Sequence, residues 1–494
     1  MAEPTVHTAV GTLRGRETDG VLSWKGVPYA HPPVGALRLK PPVVPFCWEG
    51  VRQAAQYGPS CPQASRKKRL TSEDCLYLNI WAPAEKSEKC CPVLFFIHGG
   101  SFAGGSGSDP AYDGANLART AGAVVVTVNY RVGSLGFLDF SFLSEELKPN
   151  CGLHDVIGAL RWVRSHIAAF GGDAENVTVF GQSAGGTMTA ALTTIPAAQG
   201  LFSKAIVMSG GPTLLQSREE GQKTARQFLD FMKINDARTL MEMPAETLTE
   251  KQGAFASACG LGAGTFRISV DGTLVEDYPI PAAMQASRPS VPVLMGTTKE
   301  EMSFLLIKPV AKVLDIDGIM NAGVSHEDQN SLHVIPDTYQ RHYGKKRGLS
   351  MMYTDMVFRM GNLWFAEAYS RTSDIWLYRF DYETAAMKVS GLRTFHSCDI
   401  PFVFGNFKAG LGKLVFLLTF SMKKAKKISR EIQRDFITFA KTGVLPWQKC
   451  AGSDALAKCY REDSVLEPPV HPEIHESYMK THFRKTSFQS GKKK

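Results

Sequence analysis

Val177-Thr-Val-Phe180 runs straight into Gly181-Gln-Ser-Ala-Gly-Gly186 and then into Thr187-Met-Thr-Ala-Ala-Leu-Thr193. The first stretch is apolar and β-branched, the last suits a helix, and G-x-S-x-G centred on Ser183 lies between them. A strand led through that pentapeptide into a helix forms a nucleophile elbow, a strained turn that presents the serine Oγ to solvent. Its glycines are physical requirements, because side chains there would collide with the following helix or the adjoining strand. A bare G-x-S-x-G also occurs in ordinary turns; the flanking strand and helix are what point to a nucleophile.

Outward from the elbow, short apolar runs alternate with helix-compatible stretches: Val93 to Ile97, Ala123 to Val128, Ala205 to Met208, Val291 to Met295 and Ile375 to Tyr378. Strands apolar on both faces belong inside a largely parallel sheet covered by helices, so the chain reads as α/β. No internal repeat and no Gly/Ser-rich or Pro-rich linker divides it, so residues 1–494 read as one domain. Two more polar, helix-like stretches, about 216–284 and 308–360, read as excursions from the sheet, of the kind that wall a site.

A serine nucleophile needs backbone N–H groups aimed at the oxygen that becomes negative when the carbonyl is attacked. His98-Gly-Gly-Ser101 follows the strand Val93 to Ile97 and supplies such a loop; Gly100, Ser101 and Ala184 are the expected donors. His98 itself reads as a packed structural histidine. The serine also needs a base oriented by an acid, in the chain order serine, acid, histidine. After Val291 to Met295 comes Gly296-Thr-Thr-Lys-Glu300-Glu301, which puts a carboxylate at the C-terminal end of a strand, with Glu301 the candidate and Glu300 the runner-up. Of twelve histidines, His396 stands out within Phe395-His-Ser-Cys-Asp-Ile-Pro-Phe402, although periodicity alone excludes neither His154 nor His166.

Composition bounds the rest. In 494 residues, 44% are hydrophobic and 21% charged, a globular balance. The net charge of +9, from 56 Lys and Arg against 47 Asp and Glu, is spread thinly and does not make the dense basic stripe of a nucleic-acid binder. The longest apolar runs fall well short of the roughly 18 to 20 residues that span a bilayer. Met1-Ala-Glu-Pro4 lacks the basic and then apolar character of a secretion signal. Ten cysteines show neither zinc-site spacing nor disulfide density, so the expectation is a cytoplasmic protein with mostly free thiols and no metal or cofactor.

These segments resemble the type-B carboxylesterase and cholinesterase family over nearly the whole chain. Beside Gly181 to Gly186, the likeness is carried by Lys25-Gly-Val-Pro-Tyr-Ala-His-Pro-Pro-Val-Gly35, Ser72-Glu-Asp-Cys-Leu-Tyr-Leu-Asn-Ile-Trp81, Asn129-Tyr-Arg131 and Phe170-Gly-Gly-Asp173. The resemblance implies an α/β-hydrolase fold and a triad of Ser183, Glu301 and His396. It also implies two scaffold ion pairs, Arg38 with Glu73 and Arg131 with Asp155. It matches Cys61 and Cys75 to the family's first disulfide, a bridge that a reducing compartment disfavours.

Departures from the family narrow the substrate. Cholinesterases carry an acid before the nucleophile, where this chain has Gln182, and a tryptophan in the loop that here, from Pro62 to Asp74, holds no aromatic residue. That loop contains Arg66-Lys-Lys-Arg69, which repels a quaternary ammonium. The chain therefore reads as a bacterial-type carboxylesterase that cleaves small neutral esters through an acyl-enzyme. Carbamate or aryl-amide hydrolysis by the same triad, or a non-catalytic relative of the fold, are the alternatives. Phe102, beside the oxyanion loop, and Phe416 and Phe420, in an apolar run within a pocket-flanking segment at about 405–430, are the expected substrate contacts. Oligomeric state is not legible in the sequence.

Overall fold

A computed structural model of the chain describes residues 3–44, 46–64, 70–85, 89–285, 290–306, 335–410, 412–413, 422–452 and 455–479. Eleven strands form its main sheet: β1 (Arg16–Thr18), β2 (Val21–Pro28), β3 (Tyr77–Pro83), β4 (Cys91–Ile97), β5 (Val124–Val128), β6 (Gly172–Gln182), β7 (Lys204–Met208), β8 (Val293–Thr298), β9 (Ile375–Phe380), β10 (Ala457–Tyr460) and β11 (Val465–Glu467). Their order across the sheet is β11-β10-β9-β8-β7-β6-β4-β5-β3-β2-β1. All pairs from β10 through β5 are parallel, and the outer pairs are antiparallel. Each apolar run singled out in the sequence is one of these strands.

Alternate side chains of the central strands feed two separate cores. Val93, Phe95, Val177, Val179, Val207 and Met295 pack on one face, while Leu94, Phe96, Phe180, Ile206, Met208 and Leu294 pack on the other. Such two-sided burial explains why these strands read as continuous apolar runs. The second face is covered by the helix Met422–Thr442, whose Ala425, Ile428, Ile432, Phe436 and Phe439 recur every three or four residues and are buried against it. Its Lys424 and Lys427 reach outward to Glu462 and Asp463, as a solvated basic face does.

The chain leaves β4 for β5 on one side and returns to β6 on the other, so the strand order reverses at β4. In an open α/β sheet the crevice beyond the C-terminal ends of strands at such a reversal is the natural place for a ligand. Ile97 pairs with Gly181 in the register of β4 and β6, which sets the His98 to Ser101 loop directly beside Ser183.

Both expected ion pairs are present. Arg38 binds Glu73 through Nε and Nη2 at 2.7 and 2.5 Å. Its Nη1 also donates to the carbonyls of Leu240, Met241 and Met243 at the end of the helix Ala237–Glu242. Arg131 grips the fully buried Asp155 at 2.8 and 2.6 Å. The expectation for the cysteines needs correction: Cys61 and Cys75 form a disulfide, their Cα atoms 5.0 Å apart, a separation that suits a bridge. The other eight cysteines are free, as expected.

Candidate active site

Ser183 sits between β6 and the helix Ala184–Leu192 with φ 59° and ψ −123°, a conformation that non-glycine residues avoid. The surrounding glycines tolerate no side chain: a Cβ on Gly181 would overlap Gly185 O, and one on Gly185 would overlap Ile97 O. The backbone holds the turn through Ser183 N, which donates to Met208 O at 2.9 Å, and through Ser183 O, which accepts from Thr187 N at 2.8 Å.

Glu301 and His396 meet although 95 residues separate them. His396 Nδ1 lies 2.6 Å from Glu301 Oε2, and the His396 amide donates to Glu301 O at 2.9 Å. The other carboxylate oxygen of Glu301, Oε1, accepts from Thr298 N at 2.7 Å, so this fully buried acid is held at both oxygens. Phe358 stacks on the imidazole, centroids 4.7 Å apart. Glu300 is equally buried but points elsewhere: Arg347 donates to it at 2.5 Å and Arg393 lies 3.5 Å away. No hydrogen bond joins Ser183 Oγ to His396 among the described residues; Nε2 faces the Gln182 amide nitrogen at 3.2 Å instead.

The loop after β4 carries three consecutive positive φ values, 128° at Gly100, 52° at Ser101 and 57° at Phe102. Gly100 O accepts from the amides of Ala103 and Gly104, and Phe102 O from Gly133 N at 2.6 Å, which secures the strained turn. The N–H groups of Gly100, Ser101 and Ala184 have no backbone acceptor in loops or caps among the described residues. Ala184 opens its helix, where backbone N–H groups have no intrahelical partner and the helix dipole favours negative charge. His98 is structural: it is buried and stacked on Tyr130 at 4.2 Å.

Ser101, Phe102, Ser183, Ala184 and His396 all line one cavity of about 330 Å³. Phe416 and Phe420 lie outside the described residues. Beneath the site, Asp399 is buried, and neither of its carboxylate oxygens finds a hydrogen-bond partner among the described residues. Burial, reinforced by the nearby charge of Glu301, pushes its carboxyl up to about 7.

Residues 2–483 match the model of the carboxylesterase family. The chain belongs to the carboxylesterase family. This carboxylesterase is 38% identical to the para-nitrobenzyl esterase of Bacillus subtilis over 95% of its own length and 96% of that protein's. It is 32% identical to the fumonisin B1 esterase of Sphingopyxis macrogoltabida, over 89% of this chain and 82% of that protein. Among solved structures, a PNB esterase superposes with a TM-score of 0.85 at 34% identity, covering 96% and 99% of the two chains. The carboxylesterase of Geobacillus stearothermophilus superposes at 0.83 with 35% identity, over 96% and 99%. The enzyme is thus a serine hydrolase of carboxylic esters with the α/β-hydrolase fold.

Sequence reasoning missed most of the esterase's cavity wall. Leu214, Phe266, Arg267, Met302, Phe304, Val357 and Phe358 are among the residues that line it as well. Phe266 and Arg267 come from the first excursion; Val357 and Phe358 come from the second, in the π-helical turn Asp355–Arg359. A π-turn carries no clear sequence signature, but it often marks a functional site. Arg267 is nearly buried, and loss of solvation lowers its pKa.

Proposed function

We propose that Ser183, His396 and Glu301 are the nucleophile, base and acid of this hydrolase, and that Gly100, Ser101 and Ala184 supply the oxyanion donors. One observation carries the reading: His396 is hydrogen-bonded to the buried Glu301 at 2.6 Å and opens onto the same cavity as Ser183. With Nδ1–H directed at the carboxylate, Nε2 keeps the lone pair that a general base needs. When an ester displaces the Gln182 contact, Nε2 takes the Ser183 proton as Oγ bonds to the carbonyl carbon. The negative oxygen is met by the three N–H groups. The tetrahedral species then collapses, the C–O bond to the alcohol breaks, and His396 returns the proton to the departing oxygen. Water, deprotonated by the same nitrogen, attacks the acyl carbon; the C–Oγ bond then breaks, Ser183 takes its proton back from His396, and the acid is released.

The substrate is a small neutral ester with an apolar acyl or alkyl group. The cavity wall supports this with Phe102, Leu214, Phe304 and Phe358, and the uncharged Gln182 beside Ser183 offers nothing to a choline-like cation. A cytoplasmic location rests on the eight free cysteines. Among the described residues, no helix is long and apolar enough to cross a membrane.

A fluorescent alkylphosphonate and a panel of aryl esters test the assignment together. The native enzyme is labelled once and turns over the panel; Ser183→Ala loses both while unfolding at nearly the same temperature. Continued labelling of that variant refutes the nucleophile.

A further inference from the structure

Among the described residues, two groups of potential metal ligands stand outside the cavity. In the first, Asp381 and Glu467 with Cys459, a cation is already supplied by the protein: Arg379 donates to both oxygens of Asp381 at 2.7 Å and reaches Glu467 at 3.3 Å. The second is different in kind. His342, at the end of the helix Ile335–Tyr343, meets His471 and Glu473 at the start of the helix Pro472–Met479. One donor atom from each lies within 4.8 Å of the others. All three are exposed.

We propose that His342, His471 and Glu473 form a surface site for a borderline divalent transition ion, zinc, nickel or copper, that clamps these two helices together. Two imidazoles and one carboxylate suit such ions, whereas calcium and magnesium want oxygen ligands only. The two imidazoles already face each other, centroids 4.1 Å apart and tilted by 42°. His342 Nε2 is 2.7 Å from Glu473 Oε2, so the ion enters by replacing a proton held between these two atoms. Bonds of about 2.0 to 2.2 Å to each donor need only small rotations of exposed side chains. Solvent completes the coordination shell. Arg341 donates to the other oxygen of Glu473 at 2.7 Å and so competes electrostatically with the ion while leaving Oε2 available.

On the inner side of the same helix pair, Tyr339 and Tyr478 touch through their hydroxyls at 3.4 Å, and Tyr339 donates to Asp355 at 2.5 Å. Asp355 in turn pairs with Arg359, which donates to the carbonyls of Thr298 and Lys299 at 2.9 and 2.6 Å. The clamp thus stiffens the outer end of a polar chain that ends at the loop carrying Glu301. This inference does not depend on the catalytic assignments.

Zinc titration of tag-free, full-length enzyme tests the site, after alkylation of the exposed Cys47 and Cys90 removes thiol binding. The parent binds one equivalent more than the His342→Gln/His471→Asn double variant, and the melting temperature rises with zinc in the parent alone. Arg341→Gln binds zinc severalfold more tightly than the parent. With copper, the parent gives an electron paramagnetic resonance spectrum with splitting from two imidazole nitrogens. Equal stoichiometry and affinity in parent and double variant overturn the site, as does weaker binding in Arg341→Gln.

Discussion

The side-chain nitrogen of Gln182 stands 3.2 Å from His396 Nε2, across the imidazole from the carboxylate that holds Nδ1. With the ring proton on Nδ1, Gln182 donates to the lone pair that, in the proposed mechanism, accepts the proton of Ser183. The amide therefore occupies Nε2 in the resting enzyme without adding charge. Gln182→Glu places a carboxylate at the same nitrogen and favours the imidazolium. An opposite charge this close shifts a pKa by about 1 to 3 units, so the acidic limb of kcat/KM is expected to move to higher pH by that amount. A pH profile that superposes on the parent's removes Gln182 from the site.

Glu300 and Glu301 are neighbours with different partners, and exchanging each for glutamine tests the roles proposed for them. Glu301→Gln loses the partner of Nδ1 and is expected to lower kcat by about 10³ to 10⁴ with little change in melting temperature. Glu300→Gln leaves Arg347 and Arg393 facing a neutral amide. Both arginines are about a third exposed, so the loss is a fraction of that for a fully buried pair, about 1 to 2 kcal/mol, with kcat within a few-fold of the parent. Chemical denaturation alongside steady-state kinetics reads both; the reverse pattern assigns the acid to Glu300.

The cavity wall predicts acyl selectivity. Leu214→Ala removes apolar surface from the cavity that Ser183 also lines, and each buried methylene is worth about 0.8 kcal/mol, or roughly fourfold in kcat/KM. The variant is expected to shift its preference toward longer acyl chains across acetyl, butyryl and hexanoyl aryl esters. Phe416→Ala and Phe420→Ala run beside it. An unaltered chain-length profile in Leu214→Ala places the acyl group elsewhere.

Asp399 makes stability depend on pH in a stated direction. Its carboxyl is raised to about 7 from an ordinary value near 4, so the folded state holds a proton that the unfolded chain releases. The contribution is favourable below about pH 4 and is lost as pH rises through about 7. Asp399→Asn removes this dependence, and relative to the parent it is expected to gain stability at pH 8 and not at pH 4. Urea unfolding at the two pH values decides; an equal change at both means that folding leaves the carboxyl pKa unchanged.

The disulfide is counted directly. Denatured, unreduced enzyme is expected to show eight reactive thiols, and ten after reduction. Cys75→Ala is expected to cost about 3 kcal/mol, since the bridge closes a loop of about 15 residues. Ten thiols before reduction refute the bridge.

What the sequence by itself determined were the features that neighbouring residues impose on one another. The elbow was legible because strand, tight turn and helix lie within 17 consecutive residues and only glycine fits at Gly181 and Gly185. The sheet was legible because burial on both faces leaves uninterrupted apolar runs such as Val93 to Ile97. Tertiary structure alone set which of Glu300 and Glu301 meets His396, because one step along a turn sends two chemically identical side chains to opposite partners, arginines for one and His396 for the other. It also brought Phe358 onto His396 and Phe266 into the same wall from two distant excursions. Such contacts depend on how long loops fold back over the sheet, and no local periodicity records that path. The Cys61–Cys75 bridge has the same cause: thiol proximity is a property of the folded loop, whereas composition speaks only of the compartment.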